Sequence, residues 1–395
     1  MVSLHYKGRI HKAKFSMRGV RYVLSDQAAR LFPALQQRWL LPVEARPIAD
    51  AALEDVELPS ATVDESLPEC FGILGIGHRL PLQLTDHIYT LKDTVVTGWA
   101  GAMMKDGLLL TVRPHHNWAS TLRAHPHRMR TLPGDRPYFN LMAPIPARGH
   151  IFHWLFNSIV PLLSYLESGG AERGLGLIVN AERSEFQDRT IAYIRHRYGI
   201  GAIEPVGQRD AVQVPHLKAA IPVPHVPRAL QSPFGLAVLD DLARFLDRGT
   251  AHDGRSNRIY VSRSDARLRR VLNEDDLIPL LEARGFRRVV LAGLPIERQI
   301  ALFRRAEAVV APHGAGLAHI AWCQPGTKIV EFFPNPSGAR GRVKNASSDY
   351  WLISQLRRLS YRGHIGGQVD TRLDGFSIPL QLLEAALEQA SIPRS

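Results

Sequence analysis

One stretch of the sequence, residues 311–333, narrows the choice of fold more than any other. It reads APHGAGLAHIAWCQPGTKIVEFF and continues an apolar run that begins at Ala308. The order is a short strand, a glycine loop, a segment with helical spacing, a Pro-Gly turn and a second strand, which is typical of a parallel α/β sheet. Backbone N–H groups at the start of such a helix are free to bind an anion, and glycines at 314 and 316 let a phosphate approach the backbone closely. The pattern predicts a seat for a phosphorylated ligand at residues 313–317, with Glu331 at the end of the next strand, where it could hold a sugar hydroxyl.

The loop taken alone leaves a second interpretation open, a tight strand–helix turn that binds nothing. No Lys-Ser or Lys-Thr follows the glycines, so the loop is not a Walker A motif. His319 stands where a dinucleotide-binding fingerprint would have its third glycine.

The C-terminal half has a regular rhythm that predicts a doubly wound parallel sheet. Strands are expected at 258–261, 288–291, 308–311 and 329–333, with helices at 273–284, 295–305 and 316–322 between them. Ligands of such sheets lie outside the carboxyl ends of the strands, and Ser262, His313 and Glu331 fall at or near those ends. Glycines at 363, 366 and 367 are expected to loosen the chain before a last helix at 379–390.

The N-terminal half has a less regular pattern. A helix is predicted at 151–167, strands at 175–180, 212–214 and 219–221, and a helix at 187–198. Prolines at 222, 224, 227 and 233 indicate a linker. The predicted organisation is an N-terminal extension (1–65), an N-terminal domain (66–228), a Rossmann-like C-terminal domain that binds a nucleotide (229–365) and a C-terminal helical segment (366–395).

Arginines cluster just before one of the predicted helices. Residues 255–270 contain six arginines and a single acid, Asp265. Arg263 follows a predicted strand, while Arg269 and Arg270 precede a helix that Asn273 could cap. A guanidinium group can hold two oxygens of a diphosphate at once, although a solvated basic face is the alternative interpretation. Because the cluster and the glycine loop fall at the same edge of one predicted sheet, we expect them to share a ligand.

The helix predicted at 151–167 has a narrow polar line on an otherwise apolar surface. His153, Asn157 and Ser164 fall within about 40° of one another at 3.6 residues per turn. A histidine in a cleft wall could take a proton from an acceptor hydroxyl near neutral pH, although a structural buried histidine would show the same pattern. Pro161 removes a helical hydrogen bond to the carbonyl of Asn157 and is expected to kink the helix.

The composition limits the compartment and the partners. A net charge of +12 and a pI near 10.0 favour anionic partners, unless the protein comes from an organism with arginine-rich proteins in general. Two cysteines, no apolar signal-peptide core and no long apolar window predict a cytoplasmic protein, with a basic surface suited to the inner face of the cell membrane. Histidines at 115, 116, 125 and 127 lack nearby Cys or Asp, so no metal site is expected. No stacking motif accompanies the charge, so specific nucleic-acid binding is not expected.

Three motifs together resemble the glycosyltransferases of family 61, in particular the bacterial members that build capsular polysaccharides. They are HWLFNSIVPLL at 153–163, SRSDARLRRVLNE at 262–274 and APHGAGLAHIAWCQPGTKIVEFFP at 311–334. The resemblance implies an α/β fold of GT-B type, with two Rossmann-like doubly wound domains facing a cleft and a last helix that crosses back to the first domain. It also implies inverting, metal-independent transfer of a hexosyl or pentosyl group from a nucleotide-sugar, commonly a UDP-sugar. The acceptor would be a glycan, a lipid-linked glycan or another hydroxyl, and no cofactor is implied.

The resemblance also implies roles for individual residues. Arg263 with Arg269 or Arg270 would hold the donor diphosphate, and Asn273 and Glu274 fill the Asn-Glu pair of the family. The phosphate loop would consist of His313, Gly314, Ala315 and Gly316, followed by Leu317, and Glu331 would contact the donor ribose or sugar.

Position 157 differs from the family pattern. Family members often have an acid four residues after the helix histidine, where this chain has Asn157. If that acid is the base, the chain would use His153 or another residue, or would be a catalytically inactive protein that binds a nucleotide-sugar or a glycan.

Overall fold

A computed structural model gives the structure of the protein and describes residues 2–6, 9–13, 45–47, 49–57, 61–77, 80, 82–84, 87–98, 101–106, 108–111, 128–142, 151–170, 174–220, 233–246, 257–266, 268–336, 347–370, 373 and 375–394. The four histidines at 115, 116, 125 and 127 lie outside the described residues. So does the predicted proline linker, except for Pro233.

Strands are numbered here in chain order. They are β1 (Val2–Tyr6), β2 (Arg9–Ala13), β3 (Ala45–Pro47), β4 (Glu54–Glu57), β5 (Ala61–Val63), β6 (Leu82–Leu84), β7 (His87–Thr97), β8 (Met103–Lys105), β9 (Leu108–Thr111), β10 (Arg128–Thr131), β11 (Tyr138–Asn140), β12 (Gly176–Asn180), β13 (Ile203–Val206), β14 (Asp210–Ala220), β15 (Arg258–Val261), β16 (Arg270–Val271), β17 (Phe286–Val289), β18 (Ala308–Pro312), β19 (Lys328–Asn335), β20 (Ser360–Asp370) and β21 (Gly375–Phe376).

The helices are numbered in the same way. They are α1 (Glu69–Leu74), α2 (the consecutive segments Ile151–His153, Trp154–Ile159, Val160–Tyr165 and Leu166–Gly170), α3 (Glu185–Tyr198), α4 (Pro233–Leu246), α5 (Glu274–Glu282), α6 (Ile296–Arg304), α7 (Asp349–Arg357) and α8 (Leu380–Gln389), with a 3₁₀ helix at Ala315–Trp322.

The chain forms two compact units. Unit 1 comprises residues 1–58, 86–149 and 153–226, and unit 2 comprises 59–85, 150–152 and 227–395. The second unit thus takes in a segment, 59–85, that lies far from the rest of it in sequence. The resemblance implies that the C-terminal segment 366–395 crosses back to the first domain. In the structure this segment belongs to unit 2.

Unit 1 contains a mixed sheet. Its parallel part has the order β13-β12-β11-β14, and the antiparallel strands β7, β8 and β9 extend it beyond β14. The sequence predicted two short strands where the structure has the single eleven-residue strand β14. Local signals fix α3, since Ser184 and Gln187 form a capping box at its start and Gly199 ends it in the left-handed conformation. The core of this unit includes Tyr89, Leu91 and Val214.

Unit 2 contains the doubly wound sheet that the C-terminal rhythm predicts. Five parallel strands have the order β17-β15-β18-β19-β20, which is 2-1-3-4-5 when these five are numbered along the chain. This is the flavodoxin-like order, in which ligands bind at the carboxyl ends of the first and third strands, where the chain reverses direction across the sheet. Here those strands are β15 and β18. On one face of the sheet, α8 packs on α5 through Leu277, Leu281, Leu383 and Leu387.

The prediction that residues 363, 366 and 367 loosen the chain is wrong, because these glycines lie within β20. At these positions, neighbouring atoms occupy the space that a side chain would need. A Cβ at Gly363 would lie 2.7 Å from the Cys70 sulfur, and one at Gly367 would lie 2.9 Å from the carbonyl oxygen of Ser377. A glycine within a strand often marks a place where another part of the protein approaches closely, as it does here.

Candidate functional site

The glycine loop lies at the carboxyl end of β18, at the reversal point of the unit 2 sheet. His313 follows the strand, Gly314 adopts an extended backbone, and the 3₁₀ helix begins at Ala315 instead of the α-helix that the sequence predicts at 316. The side chain of Leu317 is buried in the core, and its N–H donates to the Gly314 carbonyl at 2.9 Å. The first turn of the helix is therefore tighter than expected.

A neighbouring side chain, and not the backbone conformation, makes glycine necessary at position 314. Its φ of 166° is open to any residue, but a Cβ there would lie 1.9 Å from Nη1 of Arg263. Gly316 differs, since a Cβ there would meet only the apolar atoms Leu291 Cδ1 at 3.2 Å and Val261 Cγ1 at 3.3 Å. The structure thus brings the arginine that follows β15 directly against the loop that follows β18.

Arg263 and Arg269 form a pair of partly buried cations next to this loop. Nη2 of Arg263 donates to the Leu268 carbonyl at 2.9 Å, and its buried Nε has no hydrogen-bond partner among the described residues. Arg269 has a φ of 58°, a left-handed conformation that is strained for a residue with a side chain. Within the described part of the chain, neither guanidinium forms an ion pair.

Burial lowers the pKa of both guanidinium groups, and the charge of Arg269 lowers that of Arg263 further. The pKa of Arg263 falls to about 10, first because burial disfavours its charge and then because the charge of Arg269 lies nearby. Burial likewise lowers the pKa of Arg269, against the opposing effect of Tyr350 and Glu331. Two like charges held together at a sheet edge form a site that a bound anion would stabilise.

His313 is held by a buried carboxylate. Its Nδ1 is hydrogen-bonded to Oε1 of Glu331, whose Oε2 accepts from the Tyr361 hydroxyl at 2.6 Å. The imidazole stacks on Phe333 with the ring centres 4.9 Å apart and meets Tyr350 edge-on at 5.4 Å. Glu331 is completely buried, and each of its carboxylate oxygens bonds a protein side chain. The contact with a donor ribose or sugar that the resemblance implies for Glu331 stays a prediction. Burial and the Glu331 charge raise the pKa of Tyr361 well above its ordinary value. The sequence singled out Glu331 but not Tyr361, for which it carries no local signal.

Asn273 and Glu274 make structural contacts. Asn273 does not cap α5 with its side chain; its amide instead bonds the Ile378 backbone twice, as donor to the carbonyl and as acceptor from the N–H, each at 2.9 Å. Glu274 is buried and accepts from the hydroxyls of Tyr260 and Ser262 at 2.9 Å each. It also forms a short ion pair with Arg288. The donor contact that the resemblance implies for these two residues stays a prediction.

Two other residues considered in the sequence analysis have different surroundings. Arg270 is exposed in the two-residue strand β16. His319 is buried between Phe303, with ring centres 4.9 Å apart, and Trp322. Its Nδ1 bonds the Gly316 carbonyl at 2.9 Å, and burial lowers its pKa to about 4. The neutral imidazole is thus part of the packing under the loop.

His153 and Asn157 lie together in unit 1, as the helical spacing predicts. Nδ1 of His153 is 2.7 Å from Oδ1 of Asn157, and both residues are buried. Since an amide oxygen can only accept, Nδ1 carries the proton and Nε2 is the basic nitrogen.

The third residue of the polar line, Ser164, behaves differently. The segment Trp154–Ile159 is a π-helical turn, in which the Val160 N–H bonds the Leu155 carbonyl five residues back. The 3.6-residue spacing therefore does not extend to Ser164, whose fully buried hydroxyl has no partner in the described part of the chain. The π turn ends at Ile159, two residues before Pro161, which lacks the N–H that would bond the Asn157 carbonyl.

Two further features concern metals and membranes. Among the described residues, no group of three or more His, Cys, Asp or Glu side chains has an arrangement that could hold a metal ion. None of the helices in the described ranges combines the length and apolar content needed to cross a bilayer.

Comparison with known proteins places these residues in a wider context. Residues 151–330, a little under half of the chain, match the family model described as Glycosyltransferase 61. A segment of 112 residues is 36% identical to the EGF domain-specific O-linked N-acetylglucosamine transferase of Drosophila melanogaster. That alignment covers 27% of this chain and 21% of the relative. The class of protein that these similarities support is a glycosyltransferase. Within that class, they support family 61.

Proposed function

We propose that the protein is an inverting glycosyltransferase that moves a sugar from a nucleotide-sugar, a UDP-sugar in particular, to a hydroxyl of a glycan or lipid-linked glycan. The observation that carries the proposal is the pair Arg263 and Arg269 at the glycine loop. These cations, without carboxylate partners among the described residues, lie at the reversal point of a 2-1-3-4-5 sheet, where ligands of such sheets bind.

In the proposed reaction the donor diphosphate binds the two guanidinium groups and the loop at residues 313–317. As the bond between the anomeric carbon and the diphosphate breaks, negative charge develops on the leaving oxygen. Charged donors already in place stabilise that charge without a metal ion. Glu331 and Tyr361 act as positioning residues, because they fix the ring of His313 beside the loop.

The acceptor hydroxyl needs a base. We assign this role to Nε2 of His153, which takes the hydroxyl proton as the oxygen attacks the anomeric carbon. Asn157 holds the tautomer in which that nitrogen is basic, which is the task of the asparagine or carboxylate in other histidine-centred sites. The proposal includes a GT-B architecture and a cytoplasmic location, with the basic surface at the inner face of the membrane.

The first experiment is a thermal-shift panel of nucleoside diphosphates and nucleotide-sugars, with and without EDTA. We expect UDP or its sugars to raise Tm in both conditions, and Arg263→Gln to abolish the rise while Tm without ligand stays near that of the wild type. If no nucleotide stabilises the chain, the loop is only a turn and the proposal fails.

Asn157 supports a second candidate, a catalytically inactive protein that binds a nucleotide-sugar or glycan. The two functions differ in the effect of His153→Ala. An active transferase loses turnover in this variant by roughly 100-fold or more, while UDP affinity stays within the error of calorimetry. A wild-type chain that binds UDP-sugars but neither transfers nor hydrolyses them would favour the inactive protein.

A further inference from the structure

A basic cavity lies in unit 2, away from the glycine loop. Its volume is about 450 Å³, and its lining contains four cationic side chains, Arg258, Arg304, Arg305 and Lys328. The acidic residue among the described residues of the lining is Glu307. Volumes of 300–1,000 Å³ are typical of sites for small molecules, so the cavity can take a ligand of the size of a phosphorylated metabolite.

The cavity lies at the opposite end of the strands from the candidate site. Three of its lining residues, Arg258, Ala308 and Lys328, are the first residues of β15, β18 and β19. The glycine loop and Arg263 follow the last residues of β18 and β15. At about 3.3 Å per residue, strands of four and five residues separate the two places by roughly 13–16 Å. A ligand in the cavity therefore occupies a different site from one at the loop.

Backbone carbonyls hold two of the four cations, Arg258 and Lys328, in place. Nη1 of Arg258 donates to the carbonyls of Arg284 at 2.8 Å and Pro393 at 3.0 Å. Nζ of Lys328 donates to the Ser391 carbonyl at 2.6 Å. These carbonyl acceptors are neutral, so they orient the side chains without removing their charge.

Arg304 is a third cation of the lining, and the described part of the protein leaves one of its donors unsatisfied. Its Nη1 is buried and has no hydrogen-bond partner among the described residues. A buried donor without an acceptor costs free energy, and native structures satisfy such groups with protein, water or a ligand. Glu307 does not fill this role; its carboxylate is 63% exposed and lies 3.6 Å from Nε of Arg258, a weak surface pair.

We propose that this cavity is a second anion site, which binds a phosphate-bearing group through Arg304, Arg305 and Lys328. Phosphate oxygens accept from guanidinium forks two at a time and from the ammonium group as a point charge, which matches the side chains present. The group belongs either to a free phosphorylated compound or to the headgroup of an anionic lipid. The proposal does not depend on the transferase reaction.

The test is calorimetric titration of pyrophosphate into the full chain carrying Arg263→Gln, which removes the arginine of the candidate donor site. On that background, Arg304→Gln is expected to weaken pyrophosphate binding by about 10- to 100-fold, since it deletes a charged hydrogen-bond donor. Arg305→Gln, at an exposed position, is expected to weaken binding by several-fold. The matched control is Arg209→Gln, which removes an exposed arginine of unit 1 and is expected to change nothing.

A parallel measurement uses sedimentation with phosphatidylcholine vesicles that contain phosphatidic acid. Loss of pyrophosphate binding in the Arg304 and Arg305 variants supports a free phosphorylated ligand. Vesicle binding that these variants lose, without pyrophosphate binding, supports a lipid headgroup. If Arg304→Gln lowers Tm before any ligand is added, Arg305→Gln decides the question. Absence of both activities, or equal binding by all variants, overturns the second site, whatever Arg263→Gln does to the binding of UDP.

Discussion

Replacing Gly314 with alanine tests the link between the glycine loop and Arg263 directly. The new methyl group would lie 1.9 Å from Nη1 and 2.6 Å from Cζ of Arg263. Carbon and nitrogen atoms need about 3.5 Å, so the guanidinium must move by about 1.5 Å or more. Because the obstacle is the end of a flexible side chain and the backbone is extended, the fold accommodates the change. The hydrogen bond from Arg263 to the Leu268 carbonyl is lost, at about 1 kcal/mol of unfolding free energy.

We expect Gly314→Ala to reduce the affinity for UDP far more than it reduces the stability of the fold. An arginine displaced by more than 1 Å no longer presents its fork to the diphosphate, and a lost charged hydrogen bond is worth about 1.5–3 kcal/mol. We therefore expect the Kd for UDP to rise by about 10- to 100-fold. Calorimetric titration measures the affinity, and urea unfolding of the same samples measures the stability.

Gly316→Ala is the matched control, since it adds the same methyl group two residues away in the same loop. Its contacts at 3.2 and 3.3 Å are to Leu291 and Val261, so we expect a stability loss of about 1 kcal/mol and an affinity for UDP close to that of the wild type. Equal UDP affinity in the wild type and in both variants would refute the assignment of Arg263 to the ligand. Equal losses in both variants would show that the loop was disturbed as a whole.

Two further predictions concern stability. Burial lowers the pKa of His319 to about 4, below its value of 6.5 in the unfolded chain, so the unfolded state binds the proton first as the pH falls. Unfolding free energy should therefore drop by about 3 kcal/mol between pH 6.5 and 4, and His319→Gln should lose this part of the slope; urea unfolding at several pH values measures both. Glu274→Ala should cost about 3 kcal/mol or more in the same assay at pH 7, because it strands the buried hydroxyls of Tyr260 and Ser262 and unpairs Arg288. An unchanged unfolding curve would contradict the structural role given to this carboxylate.

The strands of unit 2 could be predicted from sequence because each is a short apolar run bounded by proline, glycine or charged residues. The strand at 258–261 is correct at both ends, and the strand predicted at 288–291 lies two residues earlier, at Phe286–Val289. β20 could not be predicted in this way. Its glycines read as a break in the chain, and the reasons for them, the approach of the distant Cys70 and of Ser377 ten residues further on, are not visible in the local pattern.

Only those parts of the candidate site that depend on the order and spacing of residues in the sequence could be predicted. Chain order places Arg263 and Gly314 at neighbouring strand ends, and helical spacing pairs His153 with Asn157. Tyr361 was missed because nothing near it in sequence indicates that its hydroxyl reaches Glu331. The π-helical turn was also missed, since a 3.6-residue wheel assumes the hydrogen-bond pattern that the turn replaces.

Three successive carbonyls after α8 bind side chains of β15, β19 and the segment after α5. Ser391, Ile392 and Pro393 accept from Lys328, Arg284 and Arg258, which precede them by 63, 108 and 135 residues. Contacts between residues this distant in sequence are slow to form, because the entropy cost of closing a long loop comes before the favourable energy of the contact. During synthesis on the ribosome, Arg258 of β15 can form its hydrogen bond to the Pro393 carbonyl only after residue 393 has emerged. The side chains that orient β15 and β19 against this segment are thus fixed only when residues up to 393 have been synthesised.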